Sequence, residues 1–148
     1  MGFHVGNPKS AADLVQAHQV HRDVYISPDV YALEMKHVFA NSWVFVGHES
    51  QTPKKGDYFA TQIGNQPVIQ VRHKADGIHV LFNRCPHKGT KIVIDRQGNT
   101  GKFFRCPYHA WSFKTDGCLL AIPLKKGYEG TGLEKTQNGK GMKAVGAV

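Results

Sequence analysis

Two short stretches of this sequence set a thiol beside an imidazole. In NRCPHKGT, residues 83 to 90, Cys85 and His87 stand two positions apart, and in CPYHAWSF, residues 106 to 113, Cys106 and His109 stand three apart. A proline follows each cysteine directly. Thiolates and imidazoles are the side chains that hold zinc, copper and iron-sulfur centres. The full pattern is C-x-H, eighteen intervening residues, then C-x-x-H. A tetrahedral zinc site accepts two Cys and two His, but zinc fingers usually pair Cys with Cys and His with His along the chain. Here each loop is mixed. A [2Fe-2S] cluster with both thiolates on one iron and both imidazoles on the other suits mixed loops, because each loop then straddles the two irons. Neutral imidazoles leave the oxidised cluster less negative than four thiolates would, which raises its potential. A structural zinc site remains the competing reading of the same four residues.

Four such donors share a ligand only if the fold brings the two loops face to face. From Trp43 onward the sequence runs WVFVGH, DYFATQI, QPVIQVRH, IHVLFN, KFFRC and AWSFKT, short β-branched and aromatic stretches separated by turn residues. Gly64-Asn65 and Asp76-Gly77 fall between consecutive runs at hairpin spacing, which predicts antiparallel meanders. Cys85 follows IHVLFNR and Cys106 follows KFFR, so both pairs stand at strand ends. Upstream, Ser10 with Asp13 reads as a capping box opening a helix through AADLVQAHQV. Ser27-Pro28-Asp29 gives a cap, a first-turn proline and an acid ahead of VYALEMKHVFA, with Tyr31, Met35, Val38 and Phe39 on one apolar stripe. Trp43, Trp111 and Phe113 are expected in the β core, and His48 and His79 are expected to bind nothing. Beyond Pro123 the Gly- and Lys-rich KKGYEGTGLEKTQNGKGMKAVGAV reads as a linker or a truncated edge.

At 148 residues the chain is the size of one ordinary domain, and 41% hydrophobic with 20% charged residues is a soluble globular composition. No apolar run approaches the roughly 20 residues that span a bilayer. MGFHVGNPKSAADL lacks the basic start and apolar run of a secretory signal, which predicts a cytoplasmic protein. Three cysteines in a reducing compartment read as ligands, nucleophiles or core fillers rather than disulfides. Cys118, twelve positions after Cys106, is expected to pack as a small apolar side chain. The formal charge of +8 is uneven: residues 1 to 60 carry 5 basic and 6 acidic groups, residues 61 to 148 carry 14 and 5. The lysines are scattered and not interleaved with stacking aromatics, which argues against nucleic acid and favours an acidic docking partner.

Cys85-Pro86-His87 together with Cys106-Pro107-Tyr108-His109 resembles the Rieske iron-sulfur motif. Tyr108-His109-Ala110-Trp111, with the leader YISPDVYALEMKHVFANSWVFVGHES, resembles the N-terminal part of the large (alpha) subunit of aromatic-ring-hydroxylating oxygenases, over about residues 25 to 130. The family usually has arginine where Lys88 stands and glycine where Ala110 stands, and a lysine cannot reproduce the bidentate guanidinium fork. Respiratory-chain Rieske proteins carry an extra cysteine in each loop, which this sequence lacks, so a potential near the low end of the Rieske range is expected.

The resemblance implies a mainly β fold, a Rieske-type antiparallel β domain with an inserted cluster-binding subdomain and N-terminal helices. Residues 1–42 would form a helical leader, 43–130 the Rieske domain with its cluster-binding part at about 83–115, and 131–148 a linker or the start of a missing catalytic domain. Cys85, His87, Cys106 and His109 would hold the [2Fe-2S] cluster, and no catalytic residue is assigned. The implied machine passes single electrons from a reductase or ferredoxin to a mononuclear Fe(II), which activates dioxygen over an aromatic ring. That second iron belongs to a C-terminal domain expected to lie beyond this chain; Asp13, His18 and His21 match its ligands neither in spacing nor in place. A homotrimer or hetero-oligomer is implied for the full subunit, with no nucleic acid and no membrane. The alternatives are a free-standing Rieske ferredoxin acting only as electron carrier and a zinc-binding interaction module.

Overall fold

The computed structural model describes residues 11–74, 77–131 and 141–145. They fall into two compact units, one ending at Trp43 and the other starting at Val44.

In the first unit the helix expected over residues 11 to 20 does not form. Ala11–Leu14 make a single 3-10 turn, and the chain then doubles back as β1 (Val15–Gln16) against β2 (Gln19–Val20). The β-branched Val15 and Val20 pair across this hairpin, and among residues 12 to 20 only Leu14 is buried, too little for the apolar face a helix would need. Ser10, on which the capping box depended, lies outside the described residues. Helix α1 (Asp23–Ile26) leads into α2 (Pro28–Glu34). Here the sequence signal holds: Ser27 Oγ accepts the Val30 N–H at 3.4 Å and Pro28 takes the first helical position. A π-helical turn, Met35–Phe39, continues it. None of these helical residues is buried, and Tyr31 and Val38 are 46% and 48% exposed.

The second unit holds two antiparallel sheets. WVFVGH forms no strand, and Trp43 and Phe45 are 85% and 83% exposed, so Trp43 does not join the β core. A 3-10 turn, Glu49–Gln51, follows, with His48 as its cap. The larger sheet is built from β3 (Asp57–Ile63), β4 (Gln66–Lys74), β5 (Gly77–Phe82) and β6 (Gln97–Asn99) in the order β5-β4-β3-β6. Gly64, at φ +53, makes the tight β3–β4 turn that the Gly-Asn pair predicts. The smaller sheet is β7 (Phe103–Arg105), β8 (Ser112–Lys114) and β9 (Leu119–Ala121). Strand β6 falls inside the stretch expected to be inserted, yet it pairs with β3 in the larger sheet. Strand β4 is central and buried from Val68 to Arg72, and its polar members are tied down. Gln70 Nε2 donates to the His48 carbonyl at 2.9 Å and to Thr52 Oγ1 at 3.2 Å. Arg72 donates to the Thr52 carbonyl and, at 3.2 Å, to the Glu49 carbonyl.

One hydrophobic core joins Tyr58, Ile69, Val71, Leu81, Ile92, Phe104, Trp111, Phe113 and Met142, and it includes both Cys85 and Cys106. Within the Gly- and Lys-rich end, residues 141–145 return to the free edge of β5. The Phe82 N–H donates to the Lys143 carbonyl at 3.0 Å, the Val145 N–H donates to the Val80 carbonyl at 2.8 Å, and Met142 is buried. Among the described residues no helix is long and apolar enough to cross a membrane.

Candidate metal centre

Loop one leaves the larger sheet at the end of β5 and returns as β6, while loop two is the six-residue tip of the β7–β8 hairpin, closed by the Arg105–Ser112 pair. The two tips share one backbone design. In loop one the Cys85 N–H donates to the Thr90 carbonyl at 2.8 Å and the Gly89 N–H donates back to the Cys85 carbonyl at 2.9 Å. In loop two the Cys106 N–H donates to the Trp111 carbonyl at 2.8 Å and the Ala110 N–H donates back to the Cys106 carbonyl at 3.0 Å. The fifth residue of each tip takes a left-handed conformation, Gly89 at φ +76 and Ala110 at φ +56. The proline after each cysteine suits the first turn position, where its fixed φ is already correct.

This matched pair of turns sorts the four donors by type. Cys85 and Cys106 are 2% and 3% exposed, core members whose thiols face each other. His87 and His109 lie further out, half-buried and exposed, with ring centroids 4.8 Å apart and planes at 62°. Burial pushes the Cys85 thiol above its ordinary pKa, and the Cys106 thiol beside it adds to that. The backbone N–H groups of His87 and Lys88 act against this, favouring the thiolate. Burial, then His109 and Lys88, hold the His87 imidazole below its usual value, which favours the neutral, ligating form.

Aromatic rings brace both imidazoles. The Trp111 indole stacks on His87 with centroids 4.8 Å apart and planes within 3°, and Tyr108 tilts against His109 at 3.7 Å. Asn83 fastens the base of loop one. It is 4% exposed, its Oδ1 accepts the N–H groups of Ile92 and Val93 at 2.9 and 3.1 Å, and its Nδ2 donates to the Val93 carbonyl at 2.8 Å.

The geometry therefore brings together all four residues singled out by spacing. Among the described residues no three His, Cys, Asp or Glu side chains gather as a single metal ion would require. The donors form two pairs instead, thiols inside and imidazoles outside, each loop giving one of each. That division fits a two-iron centre better than one tetrahedral ion, whose four ligands would converge on a point. Residues 42–135 match the family model described as the Rieske [2Fe-2S] domain. The chain belongs to that family.

Three relatives show how far the likeness of this Rieske domain extends. It is 43% identical over 110 residues to benzene 1,2-dioxygenase subunit alpha of Pseudomonas putida, covering 74% of this chain and 24% of that protein. It is 38% identical over 116 residues to N,N-dimethyl phenylurea N-demethylase subunit alpha of a Sphingobium strain, covering 78% and 25%. The solved naphthalene 1,2-dioxygenase from Rhodococcus sp., bound to indole, superimposes with a TM-score of 0.77 at 29% identity, covering 90% of this chain and 30% of that one. The chain thus spans about a quarter of the length of the curated relatives it matches.

Other sequence expectations fare differently. Trp111 and Phe113 are in the core, at 2% and 0% exposure. Cys118 is exposed, not packed, because it stands past the Lys114–Cys118 turn where the β8–β9 hairpin meets solvent. Asp13 and His18 join no cluster with His21, whose Nδ1 lies 3.4 Å from Asp23. Sequence reasoning missed Asn83, whose role depends on backbone groups nine and ten positions away. It also missed the stack on His87, although an aromatic two positions after a candidate ligand was a visible signal.

Proposed function

We propose that this Rieske domain carries electrons within the alpha subunit of an oxygenase acting on aromatic compounds. Cys85 and Cys106 hold one iron of its [2Fe-2S] cluster, and His87 and His109 hold the other. The observation that carries this reading is the segregation of donors by two matched turns: buried thiols paired inside, imidazoles paired 4.8 Å apart outside. The cluster supplies a one-electron couple when bound. The chain's own residues exclude water from the sulfur side, aim backbone N–H groups at Cys85, and leave the His109 edge open to a partner.

The names of the relatives support the oxygenase context, with a mononuclear iron in another domain receiving the electron. Because an N-demethylase stands beside the dioxygenases among the relatives, this reading goes no further than an aromatic compound as substrate. The donor is a reductase or ferredoxin, the full subunit is a homotrimer or hetero-oligomer, and the site of action is the cytoplasm.

The test is spectroscopic. The chain, purified without air from an iron-replete host, is expected to contain about two irons and two sulfides, and to give a rhombic paramagnetic signal on reduction. Its midpoint is expected near the low end of the roughly −150 to +300 mV Rieske range. Cys85→Ser and Cys106→Ser should lose the signal. A colourless protein with one zinc would refute the reading.

A further inference from the structure

Trp111 ties the two loops together, through its backbone within loop two and through its ring against loop one. Its carbonyl accepts the Cys106 N–H at 2.8 Å, within loop two. Its indole lies flat on His87, from loop one, at 4.8 Å and 3°. The Tyr128 ring meets the indole edgewise at 6.0 Å and 82°, so the indole has little freedom to rotate. At 2% exposure it is part of the core that also holds both cysteines. Its Nε1–H is buried and has no acceptor among the described residues. Buried donors are nearly always paired, so an orphan on a ring stacked against a candidate ligand marks a place where an acceptor is to be expected.

We infer that Trp111 is a positioning residue: it fixes the ring plane of His87 relative to Cys106, and its indole N–H donates to an acceptor that enters with the cluster. The inference rests on the cluster reading above. Its physical content is that two ligands from different loops, serving different irons, keep their mutual orientation through one rigid side chain. A histidine ligand needs such a second support to hold its ring orientation, and a donor directed at a cluster stabilises the reduced, more negative state.

Two variants of the full chain separate the two roles. Trp111→Phe keeps a flat ring against His87 and removes the N–H; Trp111→Leu removes both. Each is loaded with cluster, checked for retained fold by far-ultraviolet circular dichroism, and compared with the wild type by paramagnetic resonance and redox titration. Trp111→Phe is expected to keep the wild-type g-values while its midpoint falls by about 59 mV, a tenfold change for a one-electron couple. Trp111→Leu is expected to shift and broaden the g-values as His87 loses its fixed plane, and to lose cluster roughly tenfold faster on dilution, in line with the 10–100-fold cost of removing a supporting residue. Wild-type g-values in Trp111→Leu would overturn the positioning role, and a wild-type midpoint in Trp111→Phe would overturn the donor role. A wild-type chain without the Rieske signal would instead defeat the cluster reading itself, so the two failures are told apart.

Discussion

At the scale of single residues, the two matched turns make Gly89 and Ala110 a natural experiment. Both take φ near the left-handed region, and a Cβ added at Gly89 would meet nothing within 4 Å, so only backbone strain separates the two residue types there. An L-residue held left-handed costs about 1–2 kcal/mol, and glycine's greater unfolded-state entropy offsets about 0.4–1 kcal/mol of that. Ala110→Gly should therefore stabilise the chain by roughly 0.5–1 kcal/mol, and Gly89→Ala should destabilise it by a similar amount. Urea denaturation of both variants checks the pair, and a destabilised Ala110→Gly would contradict the argument. The sequence already marked Ala110 as a departure from the resembling family's glycine. What it could not display is that Ala110 is the structural counterpart of Gly89, because the histidines sit two and three positions after their cysteines and disguise the equivalence.

At the scale of elements, loop one depends on Asn83 in the way a short strand depends on its partner. The N–H groups of Ile92 and Val93 would lose their acceptor in Asn83→Ala, and each buried unpaired group costs about 1–3 kcal/mol. A loss of about 3 kcal/mol is expected, with the Ile92 and Val93 amides losing hydrogen-exchange protection before those of β4. Equal loss of protection in β4 would show that loop one is not a separate unit. A second tie joins β4 to the β8–β9 turn, where His73 Nδ1 meets Thr115 Oγ1 at 2.7 Å. His73 stands at the register shift between Arg72 and Lys74 that re-aims its ring. Burial lowers the pKa of His73, against the raising effect of Asp116. Its folded value thus lies below the unfolded value of about 6.5, so the unfolded chain binds the extra proton first. Stability should be level above pH of about 6.5 and fall as pH drops below it, His87 contributing in the same direction when the site is empty. His73→Gln should reduce that acid slope in denaturation midpoints taken between pH 7.5 and 5.5, and an unchanged slope would refute the assignment. The strands that sequence resolved are those with strong apolar texture, such as QPVIQVRH for β4. It missed β6 and β9, because QGN owes its strand state to β3, far back along the chain, and LLA is a three-residue strand held by the neighbouring β8 and not by local preference. The helix read over 11–20 failed for the converse reason, since Leu14 is the one buried side chain among residues 12 to 20 and cannot alone secure good local signals.

At the scale of the whole molecule, charge is the property that bears on partners. The net +8 is concentrated in residues 61–148, which include both loops, and Lys88 stands exposed at the tip of loop one directly beside His87. A positive field around the exposed imidazole edge would draw an acidic electron donor toward the end of the domain where transfer is shortest. Lys54 offers a comparison of equal charge. It is exposed just before β3, at the Asp57 end, whereas loop one leaves from Phe82, which pairs with Val68 and so lies level with Thr61 at the other end. Lys88→Glu and Lys54→Glu change net charge identically. If docking is directed at the cluster loops, the bimolecular rate of reduction by an acidic ferredoxin should fall about tenfold in Lys88→Glu and little in Lys54→Glu at low salt. Raising ionic strength from about 0.01 to 0.1 M, which shortens the screening length from about 30 to 10 Å, should slow the wild type and erase most of the difference between the variants. Reduction by a small uncharged reagent should ignore all three changes. Equal slowing in the two variants would mean that net charge alone attracts the donor, and that the basic surface at the loops has no directing role.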